Sequence, residues 1–351
     1  MLLVNTRNNN FDFLRFVAAF IVLLWHSFIC FENKGPDFFT YIPGGVPIFF
    51  VISGFLITKS WVDNPEILSF LKKRILRIFP ALIIVVCFVA LLLGPAVTTV
   101  SLDKYFTNSM FFDYFKNIFL YEIYHTLPGV FQETPYTGSV NASLWTLPLE
   151  FFMYILVAVF GIARLLYKKW FYPIFIIMSI VLFFLFTTNN IVDYRYIKLL
   201  RLLIIFFISS FFYINNQKII LSIPLFVTAI IFWLISVNTA FFEYVQFFTL
   251  PYIVIFIAYS KIPYINKFGK YGDFSYGIYL WAFPIQQTLI YLFPNKYNIY
   301  EYIVLSFIAS LFCGIISYYL IEKPALKLKK LQNNFFYYKL KKVIINDYKK
   351  N

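Results

Sequence analysis

Charge is scarce in this sequence: Asp, Glu, Lys and Arg make up 13% of 351 residues, where soluble domains carry about a quarter. Cysteine is scarcer still, at 3, which excludes a disulfide-stapled secreted module. Cys30, Cys87 and Cys313 all fall in apolar runs, where a thiol packs as a small hydrophobe. There is no internal repeat, no low-complexity linker and no second globular domain, and the polar excess of a disordered chain is missing. What abounds is apolar surface, at 61% of residues and a mean hydropathy of +0.75. Such a chain belongs in a bilayer.

The net charge is +14, from 30 Lys and Arg against 16 Asp and Glu. The basic residues form short clusters between apolar runs, with no aromatic-basic surface domain around them, so nucleic acid is not an expected partner. They read as a positive-inside bias and as an attraction to anionic membrane lipids.

A helix needs about 20 mostly apolar residues to cross the hydrocarbon core. Runs of that kind lie near 11–31, 43–60, 76–97, 144–163, 170–187, 197–214, 218–236, 242–260, 274–293 and 301–321. Lys and Arg concentrate on one side of this arrangement, from Arg7 and the Lys72 to Arg77 cluster to the Lys-rich end. The predicted fold class is therefore all-α, a polytopic bundle of about ten transmembrane helices with both termini cytoplasmic. The first run contains Asp12 and Arg15 and no cleavage site follows it, so it is expected to stay as a helix. Residues 1–325 form the membrane domain, and 326–351 a basic-aromatic cytoplasmic tail suited to an anionic leaflet. The outer segment 98–143 holds an amphipathic stretch, Tyr105 to Tyr124, expected to be interfacial or re-entrant.

Ionisable residues inside spans are costly and mark function by default. Arg15 and His26 are 11 positions apart in the first run, which puts them on one helix face about 16 Å apart. Asp12, one turn before Arg15, is placed to pair with it. Lys72, Lys73, Arg74 and Arg77 precede the third run, and the i, i+3 spacing of Arg74 and Arg77 predicts two guanidinium forks on one anion. Glu150 enters the fourth run after Trp145 and Pro148 and must face a cavity or a cation. Glu322, Lys323 and Pro324 read as a salt-bridged helix stop.

With these residues laid out, the chain resembles the membrane-bound acyltransferase-3 family, whose members move acyl groups from acyl-CoA onto sugars, peptidoglycan or small molecules. The segment from Phe11 through Arg15 to Trp25-His26-Ser27 is similar to the family's first helix. Gly44 to Ile57, with Ser53-Gly54-Phe55, is similar to its second. Arg74-Ile75-Leu76-Arg77 with Phe79-Pro80 matches its Arg-x-x-Arg motif, and Trp145-Thr146-Leu147-Pro148-Leu149-Glu150 its Trp-x-Leu-x-x-Glu element. Phe274 to Trp281 and Glu322-Lys323-Pro324 match its closing elements. One departure is Ala282, where the family often has His.

The resemblance implies acyl-CoA, with an acetyl group, as co-substrate and no metal. It implies a saccharide acceptor at the cell surface or linked to lipid, and a bacterial inner or plasma membrane as the location. His26 is then the general base or transient acyl carrier, with Arg15 and Glu150 as further catalytic groups. Arg74, Arg77, Ser53, Gly54 and Phe55 are expected to hold the acyl-CoA, and Asp12, Trp145 and Glu150 the acceptor. The chain ends after the tenth run, so transfer is expected on the membrane domain or with a separate partner. A secondary transporter is the competing reading, but paired repeats of broken helices are not seen. No oligomeric state is legible.

Overall fold

In hydrocarbon a backbone must satisfy its own polar groups, and a helix does so within a single segment. The computed structural model of the protein describes residues 9–189 and 192–329. Arg7 and the tail beyond residue 329 lie outside the described residues. Each apolar run becomes a helix: α1 Phe11–Glu32, α2 Gly45–Asp63, α3 Ile67–Phe88, α4 Thr146–Ile162 and α5 Phe171–Asn189, then α6 Tyr194–Ile214, α7 Ile223–Ser236, α8 Phe242–Tyr259, α9 Ser275–Leu292 and α10 Ile299–Ser317. No strand forms among the described residues beyond two isolated bridges, Thr98 with Val130 and Thr126 with Ser139. The chain is a polytopic helical bundle.

Among the described residues, eight helical stretches are long and apolar enough to cross a membrane. The other two stand where spans were expected but differ in character. α7 has only 14 residues, because Ser222 caps it and Pro224 lies in its first turn. α9 carries Gln286 and Gln287, both buried against protein rather than lipid. The third span starts earlier than expected. Glu66 accepts hydrogen bonds from the Leu68 and Ser69 amides, so helix begins at Ile67 and the basic cluster lies inside its first turns.

α1 is held between α2 and α9, α2 packs on α6 and α8, and α9 packs on α10. The α2–α6 seam is built from small and hydroxylic residues, which let backbones approach closely. A Cβ on Gly54 would stand 2.1 Å from the Phe206 carbonyl oxygen. Ser209 Oγ donates to the Val51 carbonyl at 2.6 Å, and the Thr58 and Ser210 hydroxyls pair at 2.6 Å. Gly54 therefore serves helix packing instead of facing an acyl-CoA arm. Phe55, expected at the same site, is buried among Phe11, Tyr213 and Tyr259. At about 100° per residue, Ser53, Gly54 and Phe55 point three different ways.

The 98–143 segment forms two six-residue helices, Leu102–Thr107 and Ser109–Tyr114, a 3-10 turn and a folded loop. These pieces are too short to span and act as a cap. Tyr105 fastens the cap to a π-helical turn, Val89–Leu93, that continues α3. Its hydroxyl donates to the Ala90 carbonyl at 2.8 Å, which Pro95 has no N–H to meet.

Gly54→Val is expected to force α2 off α6 and to destabilise the protein by about 3 kcal/mol. Thermal unfolding in detergent, followed by size-exclusion chromatography, reads this. An unchanged midpoint would show that the close approach is not needed.

Candidate active site

Four helices bring acidic and basic groups together at one end of the bundle. Asp273, just ahead of α9, is shared: Arg77 from α3 reaches its Oδ2 at 2.6 Å and Arg15 from α1 reaches the same atom at 3.3 Å. Its Oδ1 accepts from the Ser275 amide and hydroxyl, which fixes the carboxylate at the start of α9. Burial pushes the Asp273 carboxyl up, but Arg77 and Arg15 outweigh it and hold the group below the usual carboxylate range. Arg77 also reaches Glu322 Oε2 at 3.1 Å. A second π-helical turn, Tyr318–Glu322, continues α10 and ends on that carboxylate, which is 1% exposed. Glu322 is thus a partner of Arg77, and the helix stop expected at Glu322-Lys323-Pro324 does not form, because helix continues through the π-helical turn to Lys329. Arg15 also pairs with Asp12 at 3.1 Å, as its spacing suggested.

The structure separates Arg74 from Arg77. Arg74 donates to Ser60 Oγ at 3.1 Å and lies over the rings of Phe70 and Tyr154, with its Nε unpartnered. The two forks share no anion here, since an i, i+3 pair on a helix diverges by about 60° when neighbours on both sides compete for it.

Glu150 on α4 accepts hydrogen bonds from Ser53 Oγ at 3.2 Å and from the Tyr154 hydroxyl. Arg15, Arg77, Ser53, Glu150, Thr146 and Tyr279 line a narrow inner cavity of about 80 Å³. Tyr279 also lines a middle cavity of about 330 Å³, which His26, Trp25 and Trp145 share with an outer cavity of about 770 Å³. His26 therefore stands where the middle and outer spaces meet, and Trp145 is its neighbour on the wall. Asp12 lines none of the three.

A chain of hydrogen bonds connects the inner wall to His26. Thr146 Oγ1 donates to the Tyr279 hydroxyl at 2.6 Å, and that hydroxyl donates to the Ser143 carbonyl at 2.6 Å. Ser143 Oγ lies 3.5 Å from His26 Nδ1. The edge of Phe283 meets the imidazole, with ring centroids 5.2 Å apart. Beside Phe283, Ala282 is buried and contributes no ionisable group. Asn141 braces this turn: its Nδ2 donates to the Leu280 carbonyl at 3.0 Å and its Oδ1 accepts from the Ser143 amide at 3.2 Å.

Sequence reasoning missed Asp273 and His125 and read Glu322 only as a helix stop, not as a partner of Arg77. Asp273 and Glu322 pair with cations far away along the chain, which no local spacing reveals. His125 lines the same outer cavity as His26. Its signal was simple rarity, because the chain has only 2 histidines. Lys198 also lines this cavity, its Nζ 4.9 Å from the Trp145 ring centroid and 4.5 Å from that of Tyr194.

A family model described as Acyltransferase domain, the acyltransferase-3 model, matches residues 8–321. An O-acetyl transferase of Shigella phage Sf6 is 29% identical over 334 residues, covering 90% of this chain and 96% of its own. Nodulation protein 10 of Rhizobium leguminosarum bv. viciae is 33% identical over 162 residues, 42% of each chain. No solved structure matches.

Asp273→Asn leaves Arg77 and Arg15 facing each other across a half-buried amide. A loss of about 3 to 5 kcal/mol is expected, read as a lower unfolding midpoint in detergent at neutral pH. Because the folded carboxyl titrates below its usual value, the wild-type advantage holds at neutral pH and fades only as pH falls below about 4. Equal midpoints at pH 7 would show that the shared carboxylate does not organise this end.

Proposed function

Because the chain belongs to the acyltransferase-3 family, we propose that this multi-pass membrane acyltransferase moves an acetyl group from cytoplasmic acetyl-CoA to a hydroxyl of a saccharide acceptor. The acceptor is a cell-surface or lipid-linked polysaccharide, and the setting is the plasma membrane of a bacterium. The name of the phage relative supports acetyl as the group transferred.

One observation carries this reading: the line of three cavities that begins between Arg15 and Arg77 and reaches His26. An acyl-CoA has its negative charge at one end and its thioester at the other, separated by a flexible arm. The helical separation of Arg15 from His26, about 16 Å, is of the scale such an arm covers. Acyl-CoA then need not cross the membrane. Each guanidinium has five N–H donors, and the carboxylates here use only part of them, which leaves capacity for phosphate oxygens. Arg74 lies off the cavity wall and contributes positive charge to the mouth rather than a direct fork.

At the other end His26 acts on the carbonyl, as base toward the acceptor hydroxyl or as transient carrier of the acyl group. Glu150 keeps Ser53 oriented along the arm's path. Trp145 and Trp25 offer aromatic faces at the wide outer space, a surface suited to sugar rings.

His26→Ala should abolish transfer of radiolabel from acetyl-CoA to surface glycans, by at least about 100-fold, with unchanged insertion and unfolding midpoint. Full activity would remove His26 from the mechanism. Arg15→Ala should raise the KM for acetyl-CoA roughly tenfold, the loss of a single charge-assisted contact, while Arg77 keeps Asp273 paired. An unchanged KM would place the donor phosphates elsewhere.

A further inference from the structure

The two imidazoles of the chain are held by one short turn. His26 Nδ1 lies 3.5 Å from the Ser143 hydroxyl, and His125 Nδ1 lies 3.3 Å from the Asn141 carbonyl. The Asn141 side chain in turn accepts from the Ser143 amide. Both rings are thus anchored through Nδ1, and both line the outer cavity. An Nδ1–H that donates to a carbonyl leaves Nε2 with its lone pair, the form that accepts a proton.

The backbone around His125 is fixed rather than a free loop. Asn117 clamps Tyr124, donating to its carbonyl at 2.9 Å and accepting from its amide at 2.8 Å. The Val140 amide donates to the His125 carbonyl at 2.7 Å, next to the Thr126–Ser139 bridge. Burial lowers the His125 pKa against the opposing pull of its bond to Asn141, so the ring is neutral near pH 7.

We infer that His125 is a second catalytic residue, the base that receives the acceptor's proton, and that His26 carries the acyl group; this rests on the O-acyl transfer proposed above. In the first step His26 Nε2 bonds to the thioester carbonyl carbon and the C–S bond breaks. The departing thiolate takes the proton released from His26 Nδ1, giving free CoA thiol and a neutral acyl-imidazole. In the second step the acceptor oxygen bonds to the same carbon and its proton passes to His125 Nε2. The C–N bond breaks, and the proton returns from His125 to His26. A single imidazole that carries the acyl group cannot also serve as base for its removal, and the second ring supplies that function.

The test compares wild type, His125→Asn, His125→Gln and His26→Ala as full-length protein in nanodiscs. Asparagine keeps an amide donor for the Asn141 carbonyl but has nothing at the Nε2 position; glutamine places an amide there that cannot take a proton. Acetyl-CoA alone is added and free thiol is followed, while O-acetylation of the host's surface glycans is measured in expressing cells. Both His125 variants should give a burst of about one thiol per protein and transfer to glycan about 100-fold below wild type. His26→Ala should give neither burst nor transfer. Wild-type transfer by His125→Asn, or loss of the burst in both His125 variants, would overturn the inference and leave O-acyl transfer standing. Absence of thiol release from a wild type that still acetylates glycan would overturn the acyl-carrier step alone, whereas absence of glycan acetylation by wild type would overturn the transfer reading beneath it.

Discussion

Arg15 and Arg77 come from different helices, carry the same charge and meet in a setting with little water. Only an acid placed between them makes that arrangement stable, because like charges at close range in a medium of low dielectric repel by several kcal/mol. Asp273 is that acid, and the start of α9 fixes its position through Ser275. Glu322 adds a second negative charge from the end of α10. The packing of α1, α3, α9 and α10 at this end therefore follows from one charge-balance requirement. The same requirement leaves the inner cavity narrow and cationic at its rim.

From that end outward the lining changes. The inner space is bounded by Arg15, Arg77, Ser53 and Glu150, the middle one by Tyr279 and Arg201, and the outer one by Trp25, Trp145 and both histidines. Cavity volume increases in the same order, from about 80 through about 330 to about 770 Å³. His26 stands where the middle and outer spaces meet.

Much of this was legible in the chain itself. Apolar length announces a helix whatever its neighbours do, so each of the ten apolar runs overlaps a helix, and eight of the described stretches have the length and hydropathy of a span. Helix ends were less legible, because Glu66 and Ser222 set two of them through side-chain caps that hydropathy does not weigh. Arg15, His26 and Glu150 could be named from the cost of burying them, and all three line the cavities. Arg74 and Arg77 could not be told apart, since spacing gives a helix face but not which neighbour occupies it. Gly54 and Phe55 were named with Ser53 by adjacency, yet only Ser53 turns to the cavity. Asp273 was hidden because its partners lie 258 and 196 residues away along the chain.

Pro284 lies within α9 and has no N–H to offer the carbonyl one turn back, that of Leu280. Asn141 supplies the missing donor. The gap left by an imino acid in one helix is thus the socket into which the outer loop is plugged, and the loop segment so seated is the one that steadies both imidazoles. A replacement at Pro284 that restored the backbone donor would compete for that socket. The two imidazoles would then lose their alignment through a change made in a helix that bears neither of them.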